Sequence, residues 1–183
     1  MMPEISLNIL DVAQNSVTAG AGLIEIEITV DRSADTLEVI VADNGSGMTP
    51  EQAERAADPF FTTRTTRKVG LGVPFLKMAA EMTGGSFDIQ SERGTGTRTR
   101  AVFGLTNIDR MPLGDIAGTM TALIGPNPDL DFALRYKVDG NGFTLDTREM
   151  REILQGVPLN EPEVQGYIAG FINENIDALG ARF

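Results

Sequence analysis

An acidic residue followed by two glycines stands at the end of a strand-like segment. Residues 43–48 read Asp-Asn-Gly-Ser-Gly-Met and follow directly on the apolar run that ends at Ala42. A carboxylate held at the end of a strand can accept a hydrogen bond from an exocyclic amine, and glycines let the backbone approach a flat base closely. Asp43, Gly45 and Gly47 are therefore candidate binding residues, although the same pattern alone is more typical of a simple turn.

A second pair of glycines opens a helix farther along the chain. Gly70, Leu71 and Gly72 precede a segment whose apolar spacing predicts a helix over 73–83. The free N–H groups and the dipole at a helix start favour phosphate oxygens. These three residues predict a phosphate-binding turn, whereas the alternative is a helix start that only needs room for close packing.

Asp11 and Asn15 lie four residues apart in a segment with helical spacing. Side chains at this separation share one face of a helix. An amide oxygen and a carboxylate suit Mg²⁺, which prefers oxygen ligands, and Asp11 could instead orient or deprotonate an attacking group. The alternative is a solvated polar face of an amphipathic helix.

Positive charge is concentrated between the two glycine turns. The segment 58–69 contains Arg64, Arg67 and Lys68 and no acidic residue after Asp58, in a chain with a net charge of −11. Such a local patch can offset the charge of a triphosphate through charge-assisted hydrogen bonds. A solvated basic loop remains the alternative.

Periodicity and the placement of Gly, Pro and Asn predict the helices and strands that carry these residues. Helical spacing, strand alternation and turn signals are clear enough to place twelve elements along the 183 residues. The prediction is helix 4–19, strands 23–30 and 36–42, helices 49–57 and 73–83, strands 86–92 and 97–104, helix 116–124, strands 131–138 and 142–146, and helices 147–154 and 163–179.

This order predicts helices with an antiparallel or mixed sheet, an α/β class of fold. The sequence changes character after Gly104, so we expect one unit over 1–104 and an α-β-β-α-α extension over 105–183 that packs on it. Segment 130–146 either adds strands to the main sheet or forms the edge of a homodimer.

Composition excludes several function classes. The chain has no Cys and no His, which removes disulfides, thiolate or imidazole metal sites, the serine–histidine triad and a phosphohistidine within the chain. An acidic chain repels nucleic acid and anionic membranes unless it has a local basic patch, and we expect neither as a partner. It has neither an 18-residue apolar span nor a secretory signal, and we expect a cytoplasmic protein.

The joint order of these motifs resembles the GHKL superfamily of ATP-binding domains, named for gyrase, a heat-shock chaperone, histidine kinases and a mismatch-repair ATPase. The resemblance covers residues 4–104 and has five parts in the family's order. They are similar to the N box (10–21), the first glycine box (43–48), the histidine-kinase F box (58–63), the second glycine box (70–77) and the closing Gly-x-Gly-Thr (94–97).

The resemblance implies a Bergerat-type fold, a two-layer sandwich with helices on one face of the sheet, and a site for ATP and Mg²⁺. Asn15 would hold Mg²⁺, Asp43 would receive the adenine amino group, and Thr97 would lie near that group through a water. Backbone around the base and phosphates would come from Gly45, Gly47, Gly70, Leu71 and Gly72.

The resemblance also assigns a mobile lid to 58–69. Arg64 stands where many histidine kinases of this lid type carry a basic residue that reaches the γ-phosphate, and Lys68 would add a second positive charge. Asp11 occupies the position at which gyrase-like, chaperone and anti-sigma members usually carry a glutamate general base, and is one methylene shorter. The residue before Asn15, which many histidine kinases use instead, is here Gln14 and cannot take a proton.

The function implied is a stand-alone protein kinase of the anti-sigma or histidine-kinase type, which transfers the γ-phosphate of ATP to a partner protein. The alternatives are an ATP-hydrolysing conformational switch and a non-catalytic ATP-binding regulatory module. No further partner and no upstream signal follow from the sequence.

Overall fold

The computed structural model describes residues 4–60, 71–180 and 182–183. Six helices and six strands alternate in the described residues, and each lies within a few residues of its predicted limits. In chain order they are α1 (Ile5–Thr18), β1 (Leu23–Asp31), β2 (Thr36–Asp43), α2 (Pro50–Ala56), α3 (Gly72–Met82), β3 (Ser86–Glu92), β4 (Gly96–Gly104), α4 (Ile116–Ile124), β5 (Asp131–Val138), β6 (Asn141–Asp146), α5 (Thr147–Leu154) and α6 (Pro162–Ala178).

The strands form one mixed sheet in the order β3-β4-β2-β1-β5-β6. The β1–β5 pair is parallel, and the other four pairs are antiparallel. The prediction of an α/β sandwich with a mixed sheet is confirmed. Segment 130–146 adds strands to this sheet, with β6 at its edge.

Alternation in β1 explains why one face of the sheet is covered. Its isoleucines Ile24, Ile26 and Ile28 are buried under the helices, while the glutamates between them point to the opposite face. There Arg135 of β5 donates to both Glu25 and Glu27, at 3.1 and 2.6 Å. A polar outer face and an apolar inner face are typical of a sheet with helices on one side.

Residues beyond 104 help to place helix α1. The N–H groups of Ile5 and Ser6 donate to the carbonyl oxygens of Pro112 and Leu113, at 3.0 and 2.8 Å. These bonds satisfy donors that a helix start otherwise leaves without partners. The extension therefore holds the first turn of the helix whose last turns carry the candidate site.

The hydrophobic core also crosses the predicted boundary. Side chains of α1 and β1 belong to one buried cluster with side chains of α4, β5 and α6, such as Met120, Phe132 and Ile172. Helix α4 packs between α1 and α6. Burial of this shared surface joins the two parts of the chain.

Candidate functional site

The carboxylate of Asp43 is held from two directions. Ser16 of α1 donates its hydroxyl to Oδ2 at 2.5 Å, and the backbone N–H of Gly45 donates to Oδ1 at 2.9 Å. Asp43 is the last residue of β2, and its side chain is half-buried. These two bonds fix the plane of the carboxylate and leave each oxygen with further acceptor capacity.

Asp43 faces a cavity of about 270 Å³ between α1, the turn after β2, and the strands β3 and β4. Four residues proposed from sequence, Asn15, Asp43, Gly47 and Thr97, line this cavity together. Apolar side chains form much of the rest of its wall. The remaining lining residues are Val12, Ser16, Thr18, Ala19, Ser46, Met48, Ala56, Val73, Ile89 and Thr99.

Helix α1 presents one face to the cavity. Val12, Asn15, Ser16 and Ala19 all line it and lie at the i, i+3, i+4 and i+7 positions of a helical stripe. Since Ser16 directly follows Asn15, the helix brings a hydroxyl beside the Asn15 amide, the predicted ligand of Mg²⁺. Sequence reasoning missed Ser16, although its position on this stripe was readable.

The turn after β2 requires glycine at positions 45 and 47 for a reason that differs from the expected one. Gly47 has a φ of +66°, and a Cβ there would lie 1.9 Å from the carbonyl oxygen of Glu92. A Cβ at Gly45 would lie 3.0 Å from the carbonyl oxygen of Ala19. The close approach is thus to the protein's own backbone, which packs the turn against α1 and the β3–β4 hairpin.

A second hydroxyl, that of Ser91 on β3, holds the opposite side of the cavity. Ser91 Oγ lies 2.7 Å from Thr97 Oγ1 and 3.0 Å from the carbonyl oxygen of Gly96, and accepts from the N–H of Met48 at 2.8 Å. Thr97 is the register partner of Asp43 across β2 and β4. Ser91 was also missed, because a serine in an alternating strand has no distinguishing local signal.

Asp11 lies next to the start of helix α3. A Cβ on Gly72 would come within 2.7 Å of both Cβ and Oδ2 of Asp11, so only glycine fits at this contact. The carboxylate therefore lies beside the N-terminal end of α3, where the helix dipole is positive. Asp11 is half-buried and does not belong to the lining of the 270 Å³ cavity.

Asn15 and Asp11 share a further property. Within the described part of the chain, neither side chain has a hydrogen-bond or ion-pair partner. Both side chains are half-buried, so this end of α1 has acceptors available for a ligand. The same ranges contain no cluster of three or more Asp or Glu residues that could hold a metal ion.

The second glycine turn is only partly visible. Leu71 precedes α3 and is 41% exposed, while Gly72 is buried as the first helical residue. Gly70, Arg64 and Lys68, together with most of the predicted lid, lie outside the described residues. No described helix is long and apolar enough to cross a membrane.

Comparison with protein families identifies the part of the chain that carries this site. The family model for histidine kinase-, DNA gyrase B- and HSP90-like ATPases matches residues 3–107, more than half of the chain. Among curated proteins, an NtrY-like sensor histidine kinase of Rickettsia conorii is 31% identical over 106 residues, which are 58% of this chain and 17% of that protein. The sensor protein SrrB of Staphylococcus aureus is 34% identical over 101 residues, 52% of this chain and 17% of SrrB.

The solved structures show a similar fold over a longer stretch. The MutL ATPase domain of Aquifex aeolicus, complexed with ADP, superposes with a TM-score of 0.50 at 16% identity, covering 85% of this chain and 70% of that one. The N-terminal domain of a DNA repair protein gives a TM-score of 0.52 at 16% identity, with coverage of 79% and 52%. The chain spans about a sixth of the length of the curated relatives, and the likeness to the solved structures concerns the fold alone.

Proposed function

Because the chain belongs to the histidine kinase-, DNA gyrase B- and HSP90-like ATPase family, we propose that it binds ATP with Mg²⁺ and transfers the γ-phosphoryl group to a partner protein. The observation that carries the proposal is the fixed carboxylate of Asp43 at the wall of a cavity.

The cavity suits an adenine base. Its volume of about 270 Å³ lies just below the range for ligand pockets, roughly 300–1,000 Å³, so it has room for a base and not for a whole nucleoside triphosphate. Asp43 accepts from the exocyclic amine, while Val12, Val73 and Ile89 offer apolar contacts to the ring. Thr97 lies beside the same edge of the base, and Gly45 and Gly47 shape the turn that supports it.

The phosphates then extend from the cavity towards the start of α3. The backbone N–H groups at Gly70, Leu71 and Gly72 favour anionic oxygens at that helix end. Arg64 and Lys68 add the positive charge that a triphosphate needs in an acidic chain. These roles rest on the residue types and their order along the chain.

Asn15 is the residue that would hold Mg²⁺. Its amide oxygen is a hard oxygen ligand of the kind that Mg²⁺ accepts, and the side chain lines the cavity without a protein partner. When bound, Mg²⁺ neutralises negative charge on the phosphate oxygens and on the leaving ADP.

Asp11 is the proposed general base. The attacking group of the partner loses its proton to the Asp11 carboxylate while its heteroatom bonds to the γ-phosphorus, and the bond from that phosphorus to the β,γ-bridging oxygen breaks, releasing ADP. The same base could act on water, in which case the chain would be an ATPase.

The test measures nucleotide binding first and transfer of the γ-phosphoryl group second. Addition of saturating ATP and Mg²⁺ should raise the melting temperature of the chain, and a chain that shows no rise would contradict nucleotide binding itself. Incubation with [γ-³²P]ATP and purified candidate partners then separates the three functions. Label on a partner supports the kinase, release of phosphate alone indicates a conformational ATPase, and binding without turnover indicates a regulatory module.

A further inference from the structure

Three strands bring a row of polar side chains to one level of the sheet. Ser91 on β3 is the register partner of Thr97 on β4, and Thr97 is the register partner of Asp43 on β2. Residues directly opposite each other in antiparallel strands share a face, so all three lie on the helix-covered side. Ser16 of α1 completes the row by its bond to Asp43.

The two inner residues of this row are each held by a serine. Ser16 donates to Asp43, and Ser91 contacts Thr97 at 2.7 Å. Asp43 and Thr97 line the cavity, whereas Ser91 does not. Ser91 can therefore influence a ligand only through the groups that it contacts.

The contacts of Ser91 determine where the hydroxyl protons lie. A serine hydroxyl has one proton and two lone pairs. The carbonyl oxygen of Gly96, 3.0 Å away, can only accept, so the Ser91 hydroxyl donates its proton to that oxygen. The N–H of Met48, at 2.8 Å, can only donate, and it occupies one lone pair of Ser91. The remaining lone pair of Ser91 then accepts the proton of the Thr97 hydroxyl.

Thr97 consequently has no proton left for the cavity and presents only lone pairs. Beside it, the Asp43 carboxylate also only accepts. We propose that Ser91 is a positioning residue that polarises Thr97 into an acceptor, so that the row Asp43–Thr97 selects a 6-amino purine and rejects a 6-oxo purine. This inference rests on the proposed function and deepens it.

The chemical consequence is a preference for ATP over inosine triphosphate. The 6-amino group of adenine can supply two protons, one for each acceptor or for a water that bridges to Thr97. The 6-oxo group of hypoxanthine would place a third acceptor against them, and a buried acceptor without a donor is costly. If the Thr97 hydroxyl could rotate freely, it would donate to that oxygen and reduce the penalty.

The experiment measures Kd for ATP and for inosine triphosphate by calorimetry, with Mg²⁺ held constant. In the Ser91→Ala variant, the ATP-to-ITP preference should fall by roughly five- to tenfold, the size of one neutral hydrogen bond. Ser91→Thr keeps a hydroxyl at the same place and should restore the preference. Thr97→Val, which removes the polarised group itself, should lower the preference as well, and Ser91→Ala should have no further effect in that background.

Equal weakening of both nucleotides by Ser91→Ala would assign Ser91 a merely structural role and overturn the proposal. A wild-type chain that binds ATP and ITP equally would overturn it too. A wild-type chain that binds neither nucleotide would contradict the proposed function instead, which separates the two failures. If thermal melting shows that Ser91→Ala does not fold, the ratio of the Kd values for ATP and inosine triphosphate in Thr97→Val decides. A ratio equal to that of the wild type would remove Thr97 from base selection and overturn the proposal.

Discussion

The cavity end of the sheet and the C-terminal extension differ in how one half-buried polar residue of each is used. In the extension, Arg151 of α5 donates to Asp131 and to the carbonyl oxygens of Pro128 and Leu130, at 2.6 to 2.9 Å. Around the cavity, Asn15 lines the wall without a hydrogen-bond partner in the described ranges. Both regions belong to one sheet and share one core, so the difference does not arise from two separate packing units.

This contrast explains what each region contributes. A polar group that is satisfied by the protein stabilises a local geometry, and a half-buried one without a protein partner stays available to a ligand. The extension supplies α4 and the carbonyl groups that hold the start of α1, while the last turns of α1 keep free acceptors. Four changes, in decreasing order of expected effect, test whether the two roles are separable.

The largest effect is expected for Asp11→Asn. Removal of the proposed proton acceptor should lower turnover by at least about 100-fold, the lower end of the range for general-base catalysis, while ATP affinity changes little because Asp11 lies outside the cavity lining. Turnover is followed by release or transfer of ³²P, and affinity by calorimetry. A variant with normal turnover would remove Asp11 from the mechanism.

Asp43→Asn should have the next largest effect, on binding. An amide in place of the carboxylate presents an NH₂ group to the adenine amine, and we expect ATP affinity to fall by roughly 10- to 100-fold, as for a lost charged hydrogen bond. Circular dichroism should show an intact fold, because the side chain is only half-buried. Unchanged affinity by calorimetry would contradict the adenine assignment.

Arg151→Gln is the matched change in the extension. It removes three hydrogen bonds at the start of β5 on a side chain that is 37% exposed, and we expect a loss of about 1–2 kcal/mol in the free energy of unfolding. Urea unfolding measures this loss. ATP affinity at 25 °C should stay unchanged, and a large drop in affinity would show that the two regions are not separable.

The smallest effect concerns pH. Burial raises the pKa of Tyr136 to about 12, above its value in an unfolded chain, so the folded state disfavours the tyrosinate. Its contribution to stability is present below pH 10 and is lost as the pH rises from 10 towards 12. Between pH 10 and 11, the free energy of unfolding should fall by about 1 kcal/mol more in wild type than in Tyr136→Phe; identical slopes in urea unfolding would contradict this.

The elements of the fold could be read from the sequence because each has a strong local signal. The Leu23–Asp31 strand alternates isoleucine with glutamate, and α2 begins with a Thr49–Gln52 capping box and a proline. Such signals depend on neighbours a few residues away. The strand order did not follow from them, because nothing in segment 130–146 distinguishes pairing with β1 from pairing with a second chain.

The residues of the candidate site also form two groups, those predicted from the sequence and those missed. Asp43, Asn15 and Thr97 were predicted from motifs, and the structure brings them to one cavity. Ser16 and Ser91, which hold Asp43 and Thr97, were missed since their roles arise from contacts 27 and 6 residues away. The roles of all these residues in binding remain predictions for the experiments above.

Residue order and composition were enough to predict the helices and strands, to exclude cysteine and histidine chemistry, and to reveal the order of motifs that marks the family. Only the folded arrangement shows that β5 lies against β1, that Gly72 excludes any side chain beside Asp11, and that one serine contacts Asp43 and another contacts Thr97. Local patterns report the preferences of one segment at a time, whereas hydrogen-bond partners and steric limits at a site depend on segments that only folding brings together.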